Sequence, residues 1–95
     1  MTPPELRERT AAFARTIVAL VKPMLRVVDT RDIALQLRRS AWSTASNYRS
    51  AGRAKSHADF TSKIATVLEE IDEAQGWLET LRDCQLVDAK LIEKP

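Results

Sequence analysis

Glycine, cysteine, histidine and aromatic residues are all scarce in this chain. Two Gly and four Pro among 95 residues leave little material for turns or low-complexity linkers, which excludes many-stranded architectures. One Cys, Cys84, rules out an internal disulfide framework, and together with the one His, His57, it is too little for a Cys/His zinc site. No metal is expected. Single-cysteine usage points to a reducing, cytoplasmic setting. The longest charge-free apolar stretch, Ile17 to Val21, is far short of the roughly 20 residues that cross a bilayer, and no signal-peptide core is visible near the N-terminus. Gly52 and Gly76 are too far apart to form a phosphate loop or a dinucleotide fingerprint, so no cofactor is expected either. The charges nearly cancel: 15 Lys and Arg stand against 13 Asp and Glu, for a net +2. Global charge alone does not name a partner.

What remains is helical punctuation. Three of the four prolines (Pro3, Pro4, Pro95) lie at the chain ends and only Pro23 is internal, so long helices are allowed almost everywhere. Thr2-Pro3-Pro4-Glu5 reads as a capped helix start. From there Leu6, Phe13, Ile17, Leu20, Met24 and Val27 step by seven, four or three and form one stripe. The first helix is expected to reach about Val27, with a kink at Pro23. Asp29 and Thr30 offer the next cap, and Ile33, Leu37, Ala41, Thr44, Tyr48 and Ala51 carry a second helix to Gly52. Its small residues from Ser40 to Ser46 let a neighbouring backbone come close. Ser56 with Asp59 repeats the cap signature. A third helix follows, with its stripe on Phe60, Ile64, Val67, Ile71, Ala74, Leu78 and Leu81. Asp88 is expected to cap a last turn through Leu91 and Ile92. Short connections then predict an all-α, antiparallel up-down bundle, a single domain over residues 1–95, with three long helices and a short or truncated fourth. The central seam is expected to join Ile64, Ile71 and Leu78 to Phe13, Ile17, Leu20, Leu37 and Tyr48.

The stretch from Gln36 to Leu81 resembles the proteins first noticed in intervening sequences of bacterial 23S ribosomal RNA genes. The matching pieces are Gln36-Leu37-x-Arg39-Ser40, Asn47-Tyr48-Arg49, Arg53-Ala54-Lys55-Ser56, Ala58-Asp59-Phe60, Leu68-Glu69-Glu70, Asp72-Glu73-Ala74 and Trp77-Leu78-Glu79. Leu6-Arg7-Glu8-Arg9-Thr10 and Phe13-Ala14 fit as well. The resemblance implies a four-helix bundle that assembles as a homopentamer. A related branch implies a further role, accessory subunit of the reverse transcriptase in diversity-generating retroelements. Ser50 stands where family members tend to carry an acidic residue, and the chain ends about where their long fourth helix would start.

Charge is segregated along the chain. Between Thr30 and Lys55, six basic residues (Arg31, Arg38, Arg39, Arg49, Arg53, Lys55) face one acid, Asp32. From Ser56 to Gln85, seven acids (Asp59, Glu69, Glu70, Asp72, Glu73, Glu79, Asp83) face Lys63 and Arg82. At about 100° per residue, Arg31, Arg38, Trp42, Arg49 and Arg53 fall within an arc of about 60°, opposite the apolar stripe. Two readings of this face stand. Arginines around an aromatic combine phosphate neutralisation with base stacking, the chemistry of RNA or single-stranded nucleic-acid binding. Alternatively, the basic second helix pairs with the acidic third, at about 0–1 kcal/mol per exposed pair. A separate set of apolar residues misses the core stripe: Val18 and Leu25 on the first helix, Leu35 and Trp42 on the second. Their seven-residue recurrence predicts a contact with another copy of the chain.

The remaining chemistry is bland. Glu69 and Glu73 are expected on the outer face of helix 3 with no histidine near them, and Glu70, nearer the core edge with Lys63 seven before it and Trp77 seven after, suits a structural salt bridge or an interhelical hydrogen bond better than acid/base work. His57 reads as an exposed first-turn residue and Cys84 as a small filler. A small enzyme would need a pocket lined by Glu70, Arg39, Asn47 or Tyr48, and nothing in the sequence marks any residue as catalytic. The expectation is a non-enzymatic homo-oligomer that binds RNA or another nucleic acid. Its rival is a scaffold whose basic face docks an acidic partner protein, such as the reverse transcriptase that the related branch suggests.

Overall fold

The computed structural model describes residues 3–87, which fold as three long helices joined by short connections. They are α1 (Pro3–Val21), α2 (Arg31–Ala51) and α3 (His57–Asp83), with a 3-10 turn over Pro23–Arg26 between the first two. The Thr2 cap and the last turn at Asp88, Leu91 and Ile92 lie outside the described residues. At 1.5 Å rise per residue, the 27 residues of α3 account for most of the 43 Å long axis of a 43 × 22 × 20 Å rod. Among the described residues there is no strand, and no helix is long and apolar enough to cross a membrane.

α1 stops at Val21 and does not run on to Val27 as the periodicity predicts. Pro23 has no N–H to continue the ladder, and its ring crowds the preceding turn, so the chain tightens into the 3-10 turn instead of merely kinking. Thr30 then acts differently from a capping hydroxyl. Its Oγ1 donates to the Met24 carbonyl at 2.8 Å, from a buried position, and ties the start of α2 to the turn. Asp32 Oδ1 accepts from the Ile33 N–H at 2.9 Å in the first turn of α2.

α2 is the central element, packed against α1, α3 and the 3-10 turn. Ile33, Ala34, Leu37, Ser40, Ala41, Thr44 and Ala51 are buried, which matches the expected stripe except that Tyr48 is only half-buried. The small side chains at 34, 40, 41 and 44 permit close approach on both sides. Thr44 satisfies its hydroxyl by donating to the Ser40 carbonyl at 2.8 Å, so polar atoms enter this seam without being orphaned. Gly52 ends α2 at φ −66°, without using the left-handed region.

α3 begins as its signature requires: Ser56 Oγ accepts from the Asp59 N–H at 3.0 Å, and Asp59 Oδ2 accepts from the Lys55 N–H at 3.0 Å. Its far end closes on a Schellman motif. The Leu86 N–H reaches the Leu81 carbonyl at 3.0 Å, the Gln85 N–H reaches Arg82 at 3.0 Å, and Gln85 sits at φ 54°. Cys84, at the C-cap, is exposed rather than a filler.

The register of α3 departs from the expected seam. Val67, Glu70, Ala74 and Leu81 are buried, Ile64 and Leu78 are half-buried, and Ile71 and Phe60 are 38% and 43% exposed. Ile71 lies about 100° around the helix from Glu70. Because Glu70 takes the side facing α2, Ile71 is turned to the flank. One continuous cluster joins Ala14, Ile17, Val21 and Met24 to Ile33, Ala34, Leu37, Ala41, Ala74 and Leu81, with Phe13, Leu20 and Trp77 packed at its edge. Leu6 and Val27, the outer members of the α1 stripe, are exposed.

Candidate nucleic-acid interface

The arginine face of α2 exists as a row of solvent-accessible groups, and each has a distinct environment. Arg31 donates from Nε to the Leu25 carbonyl at 2.9 Å, which fixes it beside the 3-10 turn. Arg38 is half-buried and lays its guanidinium 4.9 Å from the centroid of the Trp42 ring, within cation–π range. Trp42 itself is 54% exposed. Arg49 is exposed on the last turn of α2; Arg53, also exposed, lies past the Gly52 cap in the turn that leads to α3, where helical register no longer places it on the α2 face. Among the described residues no ion pair involves Arg31, Arg38, Arg49 or Arg53.

Pairing between the basic and acidic helices is instead concentrated in one residue, Arg39. Its Nη1 bonds Glu70 Oε2 at 2.9 Å and its Nη2 bonds Glu73 Oε1 at 2.8 Å. Glu70 is buried and Glu73 half-buried, so Glu73 does not lie on the outer face as expected. Hydrogen bonding from the Arg39 guanidinium, helped by the Trp77 indole N–H at 3.4 Å, holds the Glu73 carboxyl below the usual carboxylate range. Asp59 is also held low, first by Lys63 Nζ at 2.6 Å and then by the Lys55 N–H. These are structural pairs at the α2–α3 seam and at the start of α3.

Beside the arginine face the structure forms a cleft that the sequence did not disclose. Arg7, Glu8, Thr10 and Ala11 of α1 face Trp42, Ala45, Ser46 and Arg49 of α2 across a space of about 460 Å³. The sequence signal was present in part. Ala11 belongs to the same seven-residue seam as Val18 and Leu25, and Arg7 lies one turn before it, but only packing shows that α2 brings Trp42 and Arg49 to the same place. A smaller cavity of about 260 Å³ lies where Pro3 and Leu6 meet Tyr48, Gly52 and Phe60. His57 is exposed, as expected, and among the described residues no group of three or more His, Cys, Asp or Glu side chains is placed to hold a metal ion.

Of the expected subunit contacts, Leu35 and Trp42 are exposed, Val18 is half-buried, and Leu25 is partly buried against its own core. Apolar side chains are also exposed on the α3 flank, at Phe60, Leu68 and Ile71, and after the 3-10 turn, at Val27 and Val28.

The fold and this surface define a small all-helical protein with a segregated basic face and no strand among the described residues. No protein-family model matches the chain, and no curated protein matches it. A crystal structure does: that of a protein of unknown function of the S23 ribosomal protein family from Bacteroides thetaiotaomicron. It is 30% identical, with a TM-score of 0.89, and the match covers 98% of this chain and 83% of that one. The chain belongs to the S23 ribosomal protein family.

Proposed function

We propose that this protein is a non-enzymatic, cytoplasmic, homo-oligomeric module that associates with RNA through the α2 face formed by Arg31, Arg38, Trp42 and Arg49, together with Arg53 in the turn that follows. In this reading it is a member of the 23S ribosomal RNA intervening-sequence group, built on an antiparallel up-down bundle with a short fourth helix and assembling as a pentamer. One observation carries the RNA reading. Of the arginines on α2 and in the turn after it, Arg39 answers the carboxylates of α3, while Arg31, Arg38, Arg49 and Arg53 keep their charge without an acidic partner among the described residues. An exposed ring held by a guanidinium sits in the middle of that row. Unneutralised arginines with an aromatic among them are suited to a phosphate backbone and its bases.

A second reading, a scaffold that docks a partner protein such as a reverse transcriptase, draws on the apolar α3 flank at Phe60, Leu68 and Ile71. Size-exclusion chromatography with light scattering, run with and without bulk RNA, separates the two. The proposal expects a mass several times 10.7 kDa for the protein alone and co-elution with RNA. A 10.7 kDa species at micromolar concentration would overturn the oligomer, and failure to co-elute with RNA at low salt would favour the scaffold.

A further inference from the structure

The cleft between α1 and α2 brings together groups that the α2 face alone does not account for. Ala11 and Ala45 give it small apolar lining, and Trp42 adds an aromatic ring. Arg7 and Arg49 enter from opposite helices, and neither takes part in an ion pair among the described residues. Thr10 and Ser46 add hydroxyls. The Thr10 hydroxyl donates its proton to the Arg7 carbonyl at 2.9 Å, leaving its oxygen to accept. The one acid at the cleft, Glu8, is bonded to the Arg15 guanidinium at 2.6 Å, so its charge is answered locally and the cleft retains an excess of positive charge.

Arg38 lies over the Trp42 ring but does not line the cleft, whose α2 side is formed by Trp42, Ala45, Ser46 and Arg49. At about 460 Å³ the space lies within the roughly 300–1,000 Å³ typical of small-ligand sites. Two alanines, one aromatic ring and two guanidiniums with no acidic partner among the described residues match a planar base with an attached phosphate. Arginine's fork suits phosphate oxygens, and every base has a face to stack.

We infer that this cleft seats one nucleotide unit of single-stranded RNA, its base against Trp42 over Ala11 and Ala45 and its phosphate between Arg7 and Arg49. One ring face cannot serve both roles, so the subunit contact of the oligomer must leave Ala11 and this face of Trp42 open. The inference rests on the RNA reading above and deepens it in two ways. It adds a residue of α1, Arg7, to the interface. It also requires an unpaired base, because in a duplex the bases stack on one another and no free ring face enters the cleft.

The test uses the full chain with Trp77→Phe, so that Trp42 is its one tryptophan, titrated at about 50 mM salt with a 12-nucleotide oligoadenylate and with an abasic strand of equal length. Seating of a base quenches Trp42 emission, and the abasic strand binds at least about fivefold more weakly without quenching. Arg7→Gln removes one of the two guanidiniums on that phosphate and weakens oligoadenylate binding by about tenfold, the loss of one charge-assisted hydrogen bond, while circular dichroism stays unchanged. Equal binding of the two strands, absent quenching, or an unaltered Arg7→Gln affinity would overturn the cleft. If Arg31, Arg38, Arg49 and Arg53 still govern binding in that case, the RNA reading stands without it. If the wild-type chain binds neither strand, both fall together.

Discussion

Glu70 is the carboxylate of α3 that folding withdraws from water, and Arg39 is the side chain that makes this tolerable. The guanidinium holds Glu70 and Glu73 at once, while half of the Arg39 side chain stays exposed. Arg39→Ala therefore leaves a buried carboxylate with no charged partner and costs about 1–3 kcal/mol, whereas Arg38→Ala costs less than about 1 kcal/mol. Thermal melts of the two variants should differ by several degrees, and equal melting points would contradict this assignment. The pH dependence has a definite sign. Hydrogen bonding to Arg39 lowers the folded-state pKa of Glu73 below its unfolded value. Its contribution is thus complete above the unfolded value of about 4.3 and is lost as the pH falls through the lower folded one. The wild-type melting temperature should drop more steeply between about pH 5 and 3 than that of Arg39→Ala. Sequence reading already places Glu70 at the core edge in a salt bridge. It groups Arg39 with the other basic residues because neighbours 100° apart on one helix look alike until the opposing helix is in place.

At the scale of elements, the start of α3 and the face of α2 were legible, whereas the end of α1 and the face of α3 were not. Ser56 with Asp59 and the stripe from Ile33 to Ala51 appear as the spacing predicts, because caps and local periodicity act within a few residues. The rotation of α3 is set across the α2–α3 seam, and a seven-residue apolar repeat containing both Val67 and Ile71 does not say which of the two turns inward. Leu81, fully buried, should lose about 2–5 kcal/mol on truncation to Ala, against less than about 1 kcal/mol for Ile71. Chemical denaturation of the two variants decides it, and equal losses would mean that the α3 flank is covered in solution. Gln85 supplies a third element-level prediction. A side chain at φ 54° in the C′ position of a Schellman motif is strained, and Gln85→Gly should stabilise the chain by about 0.5–1 kcal/mol.

The whole molecule is a rod in which α2 carries the basic charge, α3 the acidic charge, and one arginine provides the ion pairs between them. The sequence showed the segregation of charge but not its consequence. Whether basic and acidic helices neutralise each other depends on which faces meet, and neither the α2 face bearing Arg31, Arg38 and Arg49 nor Arg53 beyond it meets α3 carboxylates. That leaves a field on one side of a protein whose net charge is only +2. Sequence preference should be weak, since few side chains on this face suit base-edge readout. The most direct test is the salt dependence of single-stranded RNA binding, followed by fluorescence anisotropy for the wild type and for a variant with Arg31, Arg38, Arg49 and Arg53 replaced by Ser. Four phosphate contacts predict a log–log slope of about −3 for the wild type, with binding abolished in the variant while helicity and oligomeric mass persist. A wild-type protein that fails to bind at about 50 mM salt, or a variant that binds as well as the wild type, would contradict the claim that this face is an RNA interface.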